Sequence, residues 1–359
     1  MFKKWLMNVG LMLFASLLLM IIGYNVTTYE TTSLETTDTT EEGFAPLVKL
    51  RSPFGINQPT LPGTLPKIRT GNSCPHNSIW ITQSDLDRSP SSNGPFQILN
   101  PGYYCLKENI IIDSSNPNPR WPFPSLIWVN SDSVTIDLNG KEIIDIADPN
   151  HSTFFPIAIL IGAGNRYWYN FTLNPVSDVT IMNGKIRAMR GVAAYGSTSS
   201  PIKKITIENL KFHSDGGGTG GIIMGDAKDV LINNNYFEGQ EFSSIEIFNI
   251  ENVLIDKNSL NLNKGDGIVA TNIKGLKIKN NQFLNHQHTR FWSAFGGDQV
   301  YDTDFDNNYL LKQPIGINLK GGSTISYKNN TFCHVNTPLN IFLGSSASGR
   351  NNQINPPNC

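Results

Sequence analysis

The sequence predicts an all-β solenoid, one chain wound into coils whose short strands stack as parallel sheets. Three observations predict it. A phrase of alternating apolar residues running into asparagine recurs about every two dozen residues. A second phrase, a small or turn residue followed by alternating apolar residues, recurs at the same period between copies of the first. And a unit that short has room for strands and turns but not for two helices with their loops.

The first phrase reads ITIENLKF (205–212), VLINNNYF (230–237), VLIDKNSL (253–260), LKIKNNQF (276–283), TDFDNNYL (303–310) and ISYKNNTF (325–332). Aligned, it puts Ile207, Ile232, Ile255, Ile278, Phe305 and Tyr327 in one column, at steps of 25, 23, 23, 27 and 22 residues. Three positions later stand Leu210, Asn235, Asn258, Asn281, Asn308 and Asn330. VTIMNGKI (179–186) is a weaker copy, and VTIDLNGKEI (134–143) is another with one extra residue. The second phrase reads GIIM (221–224), SIEI (244–247), GIVA (267–270), GINL (316–319) and PLNI (338–341). Fixed-period self-similarity marks a repeat architecture, and the four strands of a propeller blade would need roughly 40 residues per unit. Two strands per coil, each stacked about 4.8 Å above its counterpart, fit the period. The winding is expected to be right-handed, as parallel crossovers are. Asparagine is depleted in strands, but at a tight turn it tolerates the left-handed backbone. Stacked over successive coils, its amides hydrogen-bond along the column and satisfy buried turn groups. The expectation is that Asn258 and Asn281 stack in neighbouring coils, and that Ile232, Ile255 and Ile278 form one buried stack.

The chain divides in order. Lys3 and Lys4 precede twenty uncharged residues, 5–24, long enough to span a bilayer and also readable as the core of a secretory signal. Residues 1–26 are therefore assigned as signal anchor or signal peptide, and the remainder as exported: single-pass in the membrane with the domain outside, or secreted. The stretch 27–40 holds eight Thr and no packing pattern; with the Pro-dotted residues that follow, 27–70 reads as a disordered stalk. Residues 71–125 form an N-terminal cap, 126–345 the coils and 346–359 a C-terminal tail. Cys74 and Cys105 flank the entry region within 71–125, and Cys333 and Cys359 flank the exit from the coils. Neither pair has the spacing of a zinc site. Disulfides at both ends are expected, because terminal coils lack a neighbour. Cys333 is expected to bond Cys359 and fold the tail over the last open edge. Sequons lie at Asn25, Asn150, Asn170 and Asn329, glycosylation sites if the host modifies them.

These phrases resemble the right-handed parallel β-helix repeats of the pectate-lyase-like superfamily, over roughly 125–345. The segment GPFQILNPGYYCLKENIII (94–112), followed by SVTIDLNGKEI (133–143), is similar to the stretch before the first coils of its secreted members. The resemblance implies the fold and is nearly silent on activity. Its polygalacturonase-like members carry an Asp-Asp pair, a Gly-His-Gly and an Arg-x-Lys, and none of the three occurs here.

Net charge is −1, so no basic excess points to nucleic acid, and no phosphate-cradling glycine loop is present. If the inward column is apolar, function falls to outward positions. The third residue after each phrase reads Asp215, Gln240, Asn263, His286 and Gln313, with Lys264, His288, Arg290 and Trp292 nearby. On one side of successive coils these would line a polar groove suited to a linear polysaccharide, with Trp292 as a stacking platform. Glycosidic hydrolysis needs two carboxyl groups, and the best pairs set Asp266 against Glu241 or Glu246. Asp266 also sits in a Gly-Asp-Gly turn that explains it conformationally. Asp302, Asp304 and Asp306 alternate along one strand and are a candidate Ca²⁺ site; no other cofactor is implied. Three functions stand: a surface β-helix binding a glycan, a polysaccharide lyase or glycoside hydrolase with non-standard residues, or a structural rod.

Overall fold

A computed structural model of the chain describes residues 74–87, 95–112, 125–146, 157–162, 175–188, 190–214, 220–286, 292–357 and 359. Outside them lie the apolar segment 5–24, the Thr-rich stretch, Asp215, His288, Arg290, and the sequons Asn25, Asn150 and Asn170. Among the described residues, strands run from Ile79 to Ile354 and join by parallel pairing into one wound sheet. The winding is right-handed, with about nine turns. Among the described residues there is a single short helix, Gln83–Asp87, near their N-terminal end, and none that is long and apolar enough to cross a membrane.

Each coil has three faces. Face A holds the second sequence phrase, as in Ile222–Gly225, Ile245–Phe248 and Ile268–Thr271. Face B holds the apolar half of the first phrase, as in Val230–Asn233, Val253–Asp256 and Leu276–Lys279. Face C holds its aromatic end, as in Tyr236–Glu238, Ser259–Asn261 and Gln282–Leu284. The sequence showed two strands per coil; the third was hidden because face C is only three residues long. Ile232, Ile255 and Ile278 are each fully buried in one stack. Phe212, Phe237, Leu260, Phe283, Leu310 and Phe332 fill the interior from face C, and the rings of Phe212 and Phe237 stack at 4.8 Å. A buried side chain of this size contributes about 1.5–3 kcal/mol.

The B-to-C corner explains the paired asparagines. The first of each pair, Asn234, Asn280, Asn307 and Asn329, has φ between 52° and 55° and turns the chain. The second, Asn235, Asn281, Asn308 and Asn330, joins Asn258 in a buried column. There each backbone N–H donates to the side-chain oxygen of the next coil: Asn235 to Asn258, Asn258 to Asn281, Asn281 to Asn308, all at 2.9 Å. Each Nδ2 also donates back to the preceding coil, Asn258 to the Ile232 carbonyl and Asn281 to that of Ile255. The turning role and the stacking role thus belong to neighbouring residues rather than to one.

Both ends are cross-linked. Cys74 bonds Cys105, and Cys333 bonds Cys359 with Cα atoms 5.4 Å apart. The tail is shorter than expected, because Ser346–Arg350 and Gln353–Ile354 pair into a last coil. It also does not cover the open edge: it turns beside His334, whose Nε2 lies 3.2 Å from the Cys359 carbonyl oxygen. Phe342, Leu343 and Ile354 stay exposed.

Candidate functional site

The corner leading from face C to face A collects most of the residues the sequence singled out, and the structure sorts them into three groups. Gln240, Asn263, His286 and Gln313 point inward and are buried. They cannot line an outer groove; they form a second internal ladder. The Gln240 N–H donates to Asn263 Oδ1 at 3.0 Å, and Gln313 Nε2 donates to the carbonyls of Phe283 and Leu311. The expectation failed because it took every inward position to be apolar. A corner buries turn N–H and C=O groups, which need amide partners. His286 is the odd member: burial pushes its imidazole down to about 4, with the backbone of Leu260 and Gly265 pulling partway back, so the ring is neutral at ordinary pH.

The second group is held by its own contacts. Glu241 pairs with Lys264 of the next coil. Asp266 accepts from the Ser293 N–H at 2.6 Å and from its hydroxyl at 2.7 Å. Burial raises the Asp266 carboxyl, while Ser293 and, more distantly, Lys320 lower it. Asp266 therefore ties one coil to the start of the next strand. The third group faces solvent. Trp292 and Phe242 are exposed on the corner. Glu246 stands on the outer surface of face A between Ile223 and Val269; burial raises its carboxyl and Arg190 pulls it back. Asp266 is turned toward the following coil and Glu241 is spent on Lys264, so Glu246 has neither as a partnered acid.

The three aspartates do not assemble a metal site. Asp302 occupies a left-handed corner with φ 51°, and Asp306 lies in register between Lys279 and Lys328. Among the described residues no group of three or more His, Cys, Asp or Glu side chains is placed to hold a metal ion. Asn329 is exposed at its corner and donates to Asp306 at 2.9 Å.

A concave site lies instead at the corner from face A to face B. A groove of about 550 Å³ runs across successive coils there, lined by Ser197, Thr198, Asp226, Asn249, Asn272 and Tyr301 among others. Its floor is a surface ladder: Asn272 Nδ2 donates to Asn249 at 2.8 Å, Asn249 Nδ2 to Asp226 at 3.1 Å, and the Thr198 hydroxyl to Asp226 at 3.3 Å. Asp226, Asn249 and Asn272 all adopt φ of 50–53°, so the same turn that bends the chain lines up the amides. The next outward column reads Lys203, Lys228, Glu251, Lys274 and Tyr301, one residue per coil in register. One end is walled by the loop 196–201, closed by a Ser197–Ser200 bridge. In later coils a single residue, such as Asp226, replaces that loop. Sequence reasoning missed this column although its steps of 25, 23, 23 and 27 residues repeat those of the isoleucine column. Its charges vary in sign, and lysine, common on any solvated face, does not mark a column as asparagine does within strands.

Comparison with known proteins bears on the fold. A family model described as "Right handed beta helix region" matches residues 170–355, more than half of the chain. The chain belongs to this right-handed β-helix family. No match was found among curated proteins. Solved structures similar to this β-helix include a GH136 lacto-N-biosidase from Eubacterium ramulus, at 11% identity and TM-score 0.47, covering 73% of this chain and 60% of that one. They include an exopolygalacturonase from Thermotoga maritima, at 12% identity and TM-score 0.45, covering 80% and 94%. A mannuronan C-5 epimerase A-module from Azotobacter vinelandii is similar at 11% identity and TM-score 0.40, covering 74% and 84%. At these identities the likeness is one of winding alone. The chain spans 60% of the length of the lacto-N-biosidase.

Proposed function

We propose that this β-helix binds a linear glycan lengthwise in the groove between faces A and B. The observation that carries the reading is the groove itself, about 550 Å³, concave and crossing several coils. A linear polymer repeats along its own axis, and a solenoid offers one equivalent rung every ~4.8 Å. Side-chain amides and hydroxyls suit sugar hydroxyls, and the exposed Tyr301 ring supplies a stacking surface. Two disulfides accord with an oxidising, exported setting, and anchoring through residues 1–26 belongs to the same proposal. Catalysis has less support, because hydrolysis needs a second carboxyl group beside Glu246 and the nearest candidates are engaged elsewhere. A plain rod does not call for a walled groove.

Affinity electrophoresis of the full-length chain through gels cast with soluble polysaccharides tests the site. Ser197→Trp, which fills the groove, and Tyr301→Ala are expected to abolish retardation, while Trp292→Ala on the other corner leaves it unchanged. The reverse pattern would move the site to the C-to-A corner, and retardation by no polysaccharide would refute glycan binding.

A further inference from the structure

We propose that the glycan taken by this groove is an acidic heteropolysaccharide whose acid groups are separated by neutral sugars. This rests on the lengthwise-binding reading above and adds the chemical class. The column beside the ladder floor places Lys203 in register with Lys228, Lys228 with Glu251, and Glu251 with Lys274. Like charges on adjacent rungs repel, so the Lys203–Lys228 neighbourhood costs the fold and does nothing for it. Lys228 and Glu251 neutralise each other at 3.2 Å. Lys203 and Lys274 are exposed and have no ion-pair partner among the described residues. Two uncompensated ammonium groups therefore flank the Lys228–Glu251 pair, three rungs or about 14 Å apart.

What lies between them sets the spacing of the ligand's charges. Glu251 sits on the rung next to Lys274, with 60% of its side chain exposed. A polymer with a carboxylate on every sugar would set one against the Lys228–Glu251 pair, which has no net charge to answer it, so that unit gives up water without gaining a partner and the site selects against it. A polymer with neutral sugars between its acid groups can answer Lys203 and Lys274 and lay an uncharged unit over the central pair. Beyond Lys274 the column ends on Tyr301, whose ring takes the face of a neutral sugar rather than a charge.

The test uses the full-length chain in mild detergent, with three probes by isothermal titration calorimetry at low and at moderate salt. These are hyaluronan (acid on alternate sugars), polygalacturonate (acid on every sugar) and dextran (neutral). Hyaluronan is expected to bind tightest, and more weakly as salt rises. The Lys203→Ser/Lys274→Ser variant, checked for an unchanged melting temperature, is expected to lose about tenfold in hyaluronan affinity, the scale of two exposed charge contacts. Glu251→Gln is expected to raise affinity for polygalacturonate selectively. If dextran binds as well as hyaluronan and the double lysine variant binds like the parent, the acidic class is refuted while lengthwise glycan binding stands. Tighter binding of polygalacturonate than of hyaluronan by the parent chain refutes the spacing argument. Binding of none of the three refutes this inference; whether the lengthwise reading falls with it is decided by the gel survey above.

Discussion

Asn280, with φ 55°, turns the chain at its corner; Asn281, one residue on, is fully buried and takes both backbone and side-chain N–H bonds from Asn258. The two should respond differently to substitution. Asn281→Leu strands the Asn258 N–H and the Ile255 carbonyl, and we predict a loss of about 3 kcal/mol by urea denaturation. Asn280→Gly keeps the turn, since glycine adopts positive φ freely, and should stay within about 1 kcal/mol of the parent. A second prediction concerns His286. Its imidazole is held down to about 4 in the folded chain against 6.5 unfolded. Between those values the unfolded chain binds the extra proton, so stability is complete above pH 6.5 and falls as pH drops toward 4, by about 3 kcal/mol in all. His286→Gln, which copies its ladder neighbours Gln240 and Gln313, should flatten that slope; equal slopes in both proteins would show that the ring is not sealed. The stacking column was legible because asparagine is conspicuous where strands are expected. The inner role of Gln240, Asn263 and His286 was not, because polarity alone reads as exposure, and only the closed corner shows that turn amides need partners inside.

At the scale of the strand, the small residue that opens each face A segment is set by the ring across the coil. Gly191, Gly221, Gly267 and Gly316 each lie where a Cβ would meet a face C phenylalanine within 2.8 Å: Phe212, Phe237, Phe283 and Phe332. Where face C carries Leu260 or Leu310, the same position carries Ser244 or Ala294. Volume is conserved within each coil although both residues vary. We predict that Gly267→Ala, which also meets the Ala294 carbonyl at 2.6 Å, costs about 1–3 kcal/mol through overpacking. Combined with Phe283→Leu it should cost less than the sum, because the pair then matches Ala294 and Leu310. Additive losses in a double-mutant cycle would mean the two positions are not packed against each other. The small residue was visible in the sequence as a turn signal; its dependence on a residue sixteen positions later (twenty-one for Gly191 and Phe212) was not, because face C is too short to show a period of its own.

For the molecule as a whole, coils hold one another by contacts with immediate neighbours, so the end coils are the weakest. The Cys333–Cys359 bond closes a separation of 26 residues at the C-terminal end, and the loop-entropy account gives it about 3–4 kcal/mol. We predict that Cys359→Ser, which leaves Cys74–Cys105 intact, exposes the last coil to proteolysis first, with cleavage mapping after Phe332 while the coils around Ile255 stay protected. Cleavage spread evenly along the chain would show that the ends are not the weak points.

The unidirectional column of amides from Leu210 to Asn352 fixes the unit in which this protein can change length. An insertion of a few residues cannot be absorbed within a face without breaking every bond above it, so it is expelled at a corner. The 27-residue coil places its four surplus residues between His286 and Phe295, and the groove wall at 196–201 arose at another corner. A duplication of one complete coil, such as residues 245–267, meets identical partners above and below. Descendants of this sequence should therefore differ in reach by whole rungs, each lengthening the groove by about 4.8 Å, while changes in its shape and lining are written at the corners.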